Sequence, residues 1–184
     1  PAVVLVHGSG PNDRDESIGP NRVFKDLAWG LATQGIVVMR YEKRTREYAD
    51  RFSGEMMRMF TVQEEVIDDA LAAVELLQAR PEIDPAGIFV LGHSLGATLA
   101  PRIAAQTDQL AGIIMLAAAA RPIEDLMLEQ STYLANSDGT LDSAEKRELA
   151  YLEDLVEQVK ALPENPDADP DALILGATPA YWLD

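Results

Sequence analysis

Short apolar runs alternate with longer amphipathic stretches over the first 120 residues of the chain. The runs are rich in β-branched residues and predict strands buried on both faces, at residues 3–6, 36–39, 87–91 and 113–117. The stretches between them have apolar residues at helical spacing and predict helices at residues 24–32, 61–80 and 95–106. This alternation predicts right-handed crossovers and a mostly parallel sheet with helices on both faces, which is a three-layer α/β fold.

The pattern changes at Arg121, after which helices are predicted at residues 123–136 and 143–162. In the second of these helices, Tyr151, Leu155 and Val159 are spaced four residues apart and form one apolar stripe. We therefore expect two domains, a partial α/β core at residues 1–120 and a helical lid or cap insertion at residues 121–184 that covers the sheet with its apolar side.

The balance of charges excludes several kinds of partner. The 184 residues include 15 Lys and Arg against 31 Asp and Glu, which gives a formal net charge of −16. Residues 121–184 contain 4 basic and 15 acidic residues, so −11 of this charge lies on the predicted lid. Such a surface does not attract polyanions, so neither nucleic acid nor an anionic membrane is an expected partner. No apolar run reaches the ~18 residues of a membrane span.

Cysteine and histidine usage limits the chemistry further. The absence of cysteine excludes disulfides, thiol catalysis and cysteine-ligated zinc, and it favours a cytoplasmic location. The two histidines, His7 and His93, leave little room for a histidine-rich metal site, so no metal or cofactor is expected. The chain opens at Pro1 within a strand-like run, so its first residues carry no targeting information.

Residues 92–96, Gly-His-Ser-Leu-Gly, fit the pattern G-x-S-x-G. A predicted strand leads into the motif and a predicted helix leads out of it, which is the setting of a nucleophile elbow. The glycines are required because so tight a turn brings the backbones of strand and helix together, where a Cβ atom would clash. Ser94 then lies at the carboxyl end of the sheet beside the positive end of the following helix, and is the candidate nucleophile.

Residues 7–10, His-Gly-Ser-Gly, follow the first predicted strand. A glycine-rich loop at this edge of the sheet can direct a backbone N–H at an oxyanion, alongside the N–H of Leu95. The motif is weak by itself, but here it lies upstream of an elbow in the same parallel sheet. Ser9, Gly10 and Leu95 are therefore the candidate donors of an oxyanion hole.

With these motifs the chain resembles the α/β-hydrolase superfamily, and more narrowly the bacterial serine esterases of the dienelactone-hydrolase and prolyl-oligopeptidase-like group. The narrower likeness rests on residues 7–16 (HGSGPNDRDE), 40–44 (RYEKR) and 92–96. It covers residues 1 to about 116 well and the helical insertion loosely, and the family often has Asp where Glu42 stands. The resemblance implies that Ser94 is the nucleophile and that Arg40 and Arg44 flank the site.

The base of a catalytic triad is missing, because no histidine follows Ser94 whereas the superfamily order is serine, acid, histidine. A serine hydroxyl without a base is a poor nucleophile at neutral pH. His93 adjoins Ser94, but neighbouring side chains diverge in an elbow. His7 lies close in space, but the resemblance gives that position a role in supporting the oxyanion loop. Lys43 is a third and less favoured alternative.

Truncation is the simplest explanation of the missing histidine. We expect two more strand–helix units after residue 184, carrying the Asp and the His, and further strands before Pro1; Glu124 or Asp125 is the alternative acid. The four predicted strands would then belong to an eight-stranded sheet, in the spatial order second, first, third, fourth. The two outer strands are strongly apolar, so we expect the missing segments or another copy of the chain to pair with them.

The expected function is a serine hydrolase that cleaves carboxylic esters of short acyl chains through an acyl-enzyme on Ser94. Its substrate would be a small-molecule ester, and residues 1–184 alone are expected to be inactive. The alternative is a catalytically incomplete hydrolase-like fragment or pseudoenzyme that acts as an interaction module, which the missing base supports. The basic residues at positions 40–58 could hold an anionic substrate, but loop charges paired with neighbouring glutamates such as Glu42 are the favoured interpretation.

Overall fold

In the computed structural model, which describes residues 1–52 and 54–184, four parallel strands form the main sheet. The strands of the chain are β1 (Ala2–Val6), β2 (Ser17–Ile18), β3 (Asn21–Arg22), β4 (Val37–Met39), β5 (Ile88–His93) and β6 (Gly112–Leu116). Their order in the main sheet is β4-β1-β5-β6, while β2 and β3 form a separate antiparallel ladder. The α/β fold and the order of its strands are therefore as predicted.

Eight α-helices are assigned within the described residues. They are α1 (Val23–Ala32), α2 (Arg44–Glu47), α3 (Glu55–Met59), α4 (Asp68–Gln78), α5 (Leu95–Ala105), α6 (Ile123–Ala135), α7 (Ser143–Ala161) and α8 (Pro179–Leu183). A π-helical turn at Gln63–Ile67 leads into α4. The sequence did not predict α2, α3, α8 or the β2–β3 ladder, because segments of two to five residues are too short to show a hydrophobic period.

Contacts divide the described residues into two compact units. The first contains Pro1–Phe52 and Val62–Ala118, and therefore the main sheet with α1, α2, α4 and α5. The second contains residues 54–61 and Ala119–Asp184, and therefore α3, α6, α7 and α8. The functional division into a core at residues 1–120 and a lid at residues 121–184 stays a prediction.

The core of the first unit is centred on β1, whose five residues are all buried. β1 pairs with β4 on one side and with β5 on the other, so neither of its edges meets solvent. On one face of the sheet, Val3, Leu5 and Leu91 pack with Phe24 of α1. The motif at residues 7–10 follows the end of β1, and the motif at residues 92–96 spans the end of β5.

The second unit has a small core of its own. Asp142 caps α7 in a capping box with Glu145, so this helix begins where the sequence predicted. Val159 lies in a buried cluster with Leu162 and Ile174, and the indole N–H of Trp182 donates a hydrogen bond of 2.7 Å to the carbonyl oxygen of Ile174. Tyr151 is 66% exposed, so the predicted apolar stripe of α7 is buried in this unit only near its C-terminal end.

The outer strands of the main sheet leave apolar side chains exposed. On β6, Ile114 is 42% exposed and Met115 is 44% exposed, and Val37 on β4 is 45% exposed. Successive side chains of a strand point to opposite faces, so both faces of the sheet are open at β6. Within the part of the chain that the structure describes, no helix has the length and apolar character needed to cross a bilayer.

Candidate active site

Ser94 stands alone between strand and helix. β5 ends at His93 and α5 begins at Leu95, so the residue between them makes the whole turn. Its backbone has φ 52° and ψ −116°, a conformation that side-chain-bearing residues rarely adopt. Strain of this kind costs roughly 1–3 kcal/mol and persists only where the surrounding structure enforces it.

Two glycines make this turn possible. A Cβ atom on Gly92 would lie 2.2 Å from the carbonyl oxygen of Gly96, and a Cβ atom on Gly96 would lie 2.3 Å from the carbonyl oxygen of Val6. Both separations are far below van der Waals contact, so the clash predicted from the sequence is confirmed. The first turn of α5 therefore packs directly against the end of β1.

Hydrogen bonds on both sides hold the backbone of Ser94. Its N–H donates to the carbonyl oxygen of Leu116 at 2.9 Å, and its carbonyl oxygen accepts from the N–H of Thr98 at 2.9 Å. The N–H of Leu95 lies in the first turn of α5, where backbone N–H groups have no acceptor within the helix. That N–H is therefore available to a negatively charged atom held beside Ser94.

The loop after β1 lies against the elbow. A Cβ atom on Gly8 would be 3.2 Å from the Cβ of Ser94, so the two backbones are in close contact. Ser9 and Gly10, which follow, are exposed, and Gly10 has a φ of 86°. The structure thus brings together the predicted nucleophile and the predicted oxyanion loop.

Three side chains bind the backbone polar groups of Gly8, two from the loop that follows it and one from the distant Lys43. Its N–H donates to Glu16 Oε1 at 2.7 Å, and its carbonyl oxygen accepts from Lys43 Nζ at 2.8 Å and from Asn12 Nδ2 at 3.1 Å. Glu16 and Lys43 are each 1% exposed. Glu16 also has a positive φ of 49°, which marks a second strained residue beside the site.

A buried ion pair completes this arrangement. Lys43 Nζ lies 2.6 Å from Glu65 Oε1 in the π-helical turn, and the side chains of both residues are almost fully buried. Burial lowers the pKa of Lys43, and the carboxylate of Glu65 acts in the opposite direction. Sequence reasoning gave no role to Glu16 or Glu65, although Glu16 closes the HGSGPNDRDE motif and Lys43 lies within RYEKR.

His7 lies in the core rather than in an open site. Its ring packs 5.1 Å from the ring of Phe24 and 5.1 Å from that of Tyr41, and the residue is 1% exposed. Burial, aided by the charge of Lys43, lowers the pKa of His7 from 6.5 to about 4. The imidazole is therefore neutral at neutral pH and contributes packing beneath the oxyanion loop.

His93 faces a carboxylate. Its Nδ1 lies 3.0 Å from Glu16 Oε1, the same oxygen that accepts the hydrogen bond from Gly8. The imidazole of His93 is thus part of the arrangement around Gly8, on the Glu16 side. Its side chain is 24% exposed.

Most of the basic residues at positions 40–58 form ion pairs with acidic side chains. Arg40 pairs with Asp15, and Arg44 Nε donates to Asp69 Oδ2 at 2.9 Å. Arg46 Nε lies 3.8 Å from Glu42 Oε2, as expected for loop charges, and Glu42 also pairs with Arg14. The partners of Arg40 and Arg44 are aspartates rather than the neighbouring glutamates. These contacts tie the loop after β4 to residues 12–20 and to α4.

The two alternative acids of the triad, Glu124 and Asp125, lie in the first turn of α6. Asp125 of α6 pairs with Lys160 of α7 at 2.8 Å, inside the second unit. No group of three or more His, Asp or Glu side chains suited to holding a metal ion occurs in residues 1–52 and 54–184.

Comparison with known proteins gives one family and two similar proteins. The model of the family described as Serine aminopeptidase, S33 (Hydrolase_4), matches residues 1–174. Esterase EstD of Thermotoga maritima is 46% identical over 184 residues, which are 100% of this chain and 40% of that protein. The α/β hydrolase GrgF from Penicillium sp. sh18 has a crystal structure that is similar over 77% of this chain and 47% of that chain, with 18% identity and a TM-score of 0.49.

The chain therefore spans about 40% of the length of the curated relative that it matches. The narrower likeness to dienelactone hydrolases stays a prediction. Because the family model covers nearly all of its residues, the chain belongs to the serine aminopeptidase S33 family of the α/β-hydrolase superfamily.

Proposed function

We propose that the protein containing this chain is a serine hydrolase of carboxylic esters, with Ser94 as its nucleophile. The observation that carries the proposal is the strained backbone of Ser94, with φ 52°, in contact with the glycine loop that follows β1. Strained backbone at a residue other than glycine is typical of functional sites. In a nucleophile elbow this strain exposes the serine hydroxyl at the carboxyl end of the parallel sheet.

The chemistry follows from the groups that surround Ser94. Its Oγ attacks the carbonyl carbon of the ester while a base takes the hydroxyl proton. The N–H of Leu95 and the N–H groups of Ser9 and Gly10 hold the resulting oxyanion. Collapse of the tetrahedral intermediate releases the alcohol, which takes the proton from the base, and leaves an acyl-enzyme. Water then attacks the acyl-enzyme and releases the acid.

We infer that the base and its acid come from residues that are not among 1–184. His7 is buried and neutral between two aromatic rings, and the Nδ1 of His93 is turned to Glu16. Lys43 is engaged with Glu65 and the Gly8 carbonyl. The relative at 46% identity is more than twice as long as this chain, which leaves room for a distant histidine.

The proposed substrates are small esters with short acyl groups. The name of the Thermotoga relative supports ester hydrolysis, and the family description leaves peptide hydrolysis as an outcome of the same test. A panel of p-nitrophenyl esters from acetate to decanoate and an aminoacyl p-nitroanilide distinguishes these substrate classes. Turnover confined to the anilide would contradict the ester proposal.

Labelling with a fluorophosphonate tests the nucleophile in the intact protein. Ser94→Ala should abolish both labelling and turnover of p-nitrophenyl acetate, whereas Ser137→Ala, at an exposed turn, should change neither. Full labelling of the Ser94→Ala variant would refute the role of Ser94.

The second candidate function is that of an interaction module without catalysis, and the absence of a histidine after Ser94 favours it. An intact protein that folds, contains no further histidine and turns over none of the esters would support this alternative. Turnover that depends on Ser94 would exclude it.

A further inference from the structure

The peptide group between Gly8 and Ser9 is held from its carbonyl side. Lys43 Nζ and Asn12 Nδ2 both donate to the Gly8 oxygen, at 2.8 Å and 3.1 Å. This peptide is trans, so its N–H, which belongs to Ser9, points away from its carbonyl oxygen. Anchoring the oxygen at the buried lysine therefore turns the N–H of Ser9 away from Lys43, and Ser94 lies against the same loop at Gly8.

We propose that Lys43, assisted by Asn12, is a positioning residue that orients the Ser9 N–H as a donor of the oxyanion hole. The proposal rests on the proposed serine-hydrolase function. It assigns a role to the lysine of RYEKR and to the asparagine of HGSGPNDRDE.

Glu16 and Glu65 support the same arrangement, one by binding Gly8 and the other by binding Lys43. Glu16 accepts the N–H of Gly8 at 2.7 Å, so the residue is bound at both of its backbone polar groups. Glu65 lies 2.6 Å from Lys43 Nζ and balances its charge in the interior. A glycine is free to rotate unless it is held, and an oxyanion donor contributes most when its direction is fixed before the reaction.

The role of Lys43 differs from that of a general base. Its ammonium already donates to the carbonyl oxygen of Gly8 and pairs with Glu65. Loss of Lys43 should therefore weaken stabilisation of the transition state while leaving binding of the ground-state ester largely intact.

Steady-state kinetics of the intact protein with p-nitrophenyl acetate test the proposal. Lys43→Met should lower kcat by about 10- to 100-fold and change KM by less than about threefold. Removal of an oxyanion donor lowers kcat by about 10²- to 10³-fold, and the loss on removing a residue that only positions the donor should not exceed this. The rate of inactivation by a fluorophosphonate should fall by a similar factor, because the phosphonyl oxygen uses the same hole. Lys25→Met is the control and should leave both rates unchanged, because Lys25 is a half-buried residue of α1 whose ammonium lies over the exposed ring of Trp29.

A double variant separates positioning from charge balance. Lys43→Met alone leaves the Glu65 carboxylate buried without its cation, which destabilises the fold. Lys43→Met with Glu65→Leu removes both charges and should recover thermal stability but not kcat. Recovery of kcat in the double variant would overturn the proposal, because the lysine would then only compensate Glu65.

Asn12→Ala provides a measurement that does not disturb the buried ion pair. It removes the second donor to the Gly8 oxygen, together with the contacts of the same amide to the Ser9 and Gly10 carbonyl oxygens at 3.0 Å and 3.3 Å. This change should lower kcat by about 2- to 5-fold at unchanged KM and melting temperature. A kcat equal to that of the wild type would contradict the proposal even if the lysine variants did not fold. Failure of the proposed function has a different signature, since the wild type would then turn over no ester or the Ser94→Ala variant would retain activity.

Discussion

Gly96 in the first turn of α5 packs so closely on β1 that a Cβ atom would lie 2.3 Å from the carbonyl oxygen of Val6 and 2.5 Å from that of His7. Both obstacles are backbone atoms, one in the last residue of β1 and one in the buried residue that follows it, and they cannot move aside as a flexible side chain would. The glycine therefore sets the distance between the helix that follows Ser94 and the strand that carries the oxyanion loop.

Gly96→Ala should destabilise the protein by about 3 kcal/mol or more, because overpacking against backbone forces strand and helix apart. Urea denaturation measures this change. Gly30→Ala is the matched control, since Gly30 lies in α1 with nothing within 4 Å of a built Cβ, and should be neutral or stabilising by up to about 1 kcal/mol. Equal stabilities of the two variants would contradict the close approach.

His7 should make stability dependent on pH. Its pKa is about 4 in the folded protein and 6.5 in the unfolded chain, so between these values the unfolded state binds more protons. The contribution is complete above pH 6.5 and is lost as the pH falls toward 4, by about 3 kcal/mol in total.

Chemical denaturation between pH 7 and pH 4 measures this slope. His7→Leu removes the titrating group and should flatten the profile over this range, whereas His93→Gln, at the partly exposed histidine, should leave most of the slope in place. An unchanged slope in His7→Leu would show that other groups cause the loss of stability.

His93 is not expected to be the general base, although it adjoins the nucleophile. In the intact protein, His93→Gln should reduce turnover of p-nitrophenyl acetate by less than about 10-fold, whereas loss of the histidine base in a serine hydrolase costs on the order of 10⁶-fold. A glutamine amide at this position can donate to Glu16, so the arrangement around Gly8 should survive. A loss comparable with that of Ser94→Ala would assign the base to His93 instead.

Residues 1–184 expressed alone should self-associate through β6, since Ile114 and Met115 are exposed on opposite faces of that strand. Light scattering over a range of concentrations detects this association. Ile114→Lys should reduce it, and Leu76→Lys, at a residue 53% exposed on α4, should not. A monomer at every concentration would contradict the expected pairing of the outer strands.

Much of the fold could be predicted because its signals are local. Runs of β-branched residues correspond to β1, β4, β5 and β6, and apolar residues at helical spacing correspond to α1, α4 and α5. The two glycines of the elbow could also be read from the sequence, since a strand followed by G-x-S-x-G and a helix leaves few conformations for the serine. The short elements α2, α3 and α8 could not, because they depend on tertiary contacts rather than on an internal period.

The sequence by itself therefore determined the sheet, its strand order, the strained position of Ser94 and the loop opposite to it. Only the tertiary structure decided how that loop is held, because Lys43 lies 35 residues from Gly8 and Glu16 lies 8 residues from it. It also decided that His7 is neutral and that Arg40 and Arg44 pair with aspartates. Hydrogen bonds between distant residues and the loss of solvent around a buried group leave no periodic trace in the sequence, and they appear only when the chain is folded.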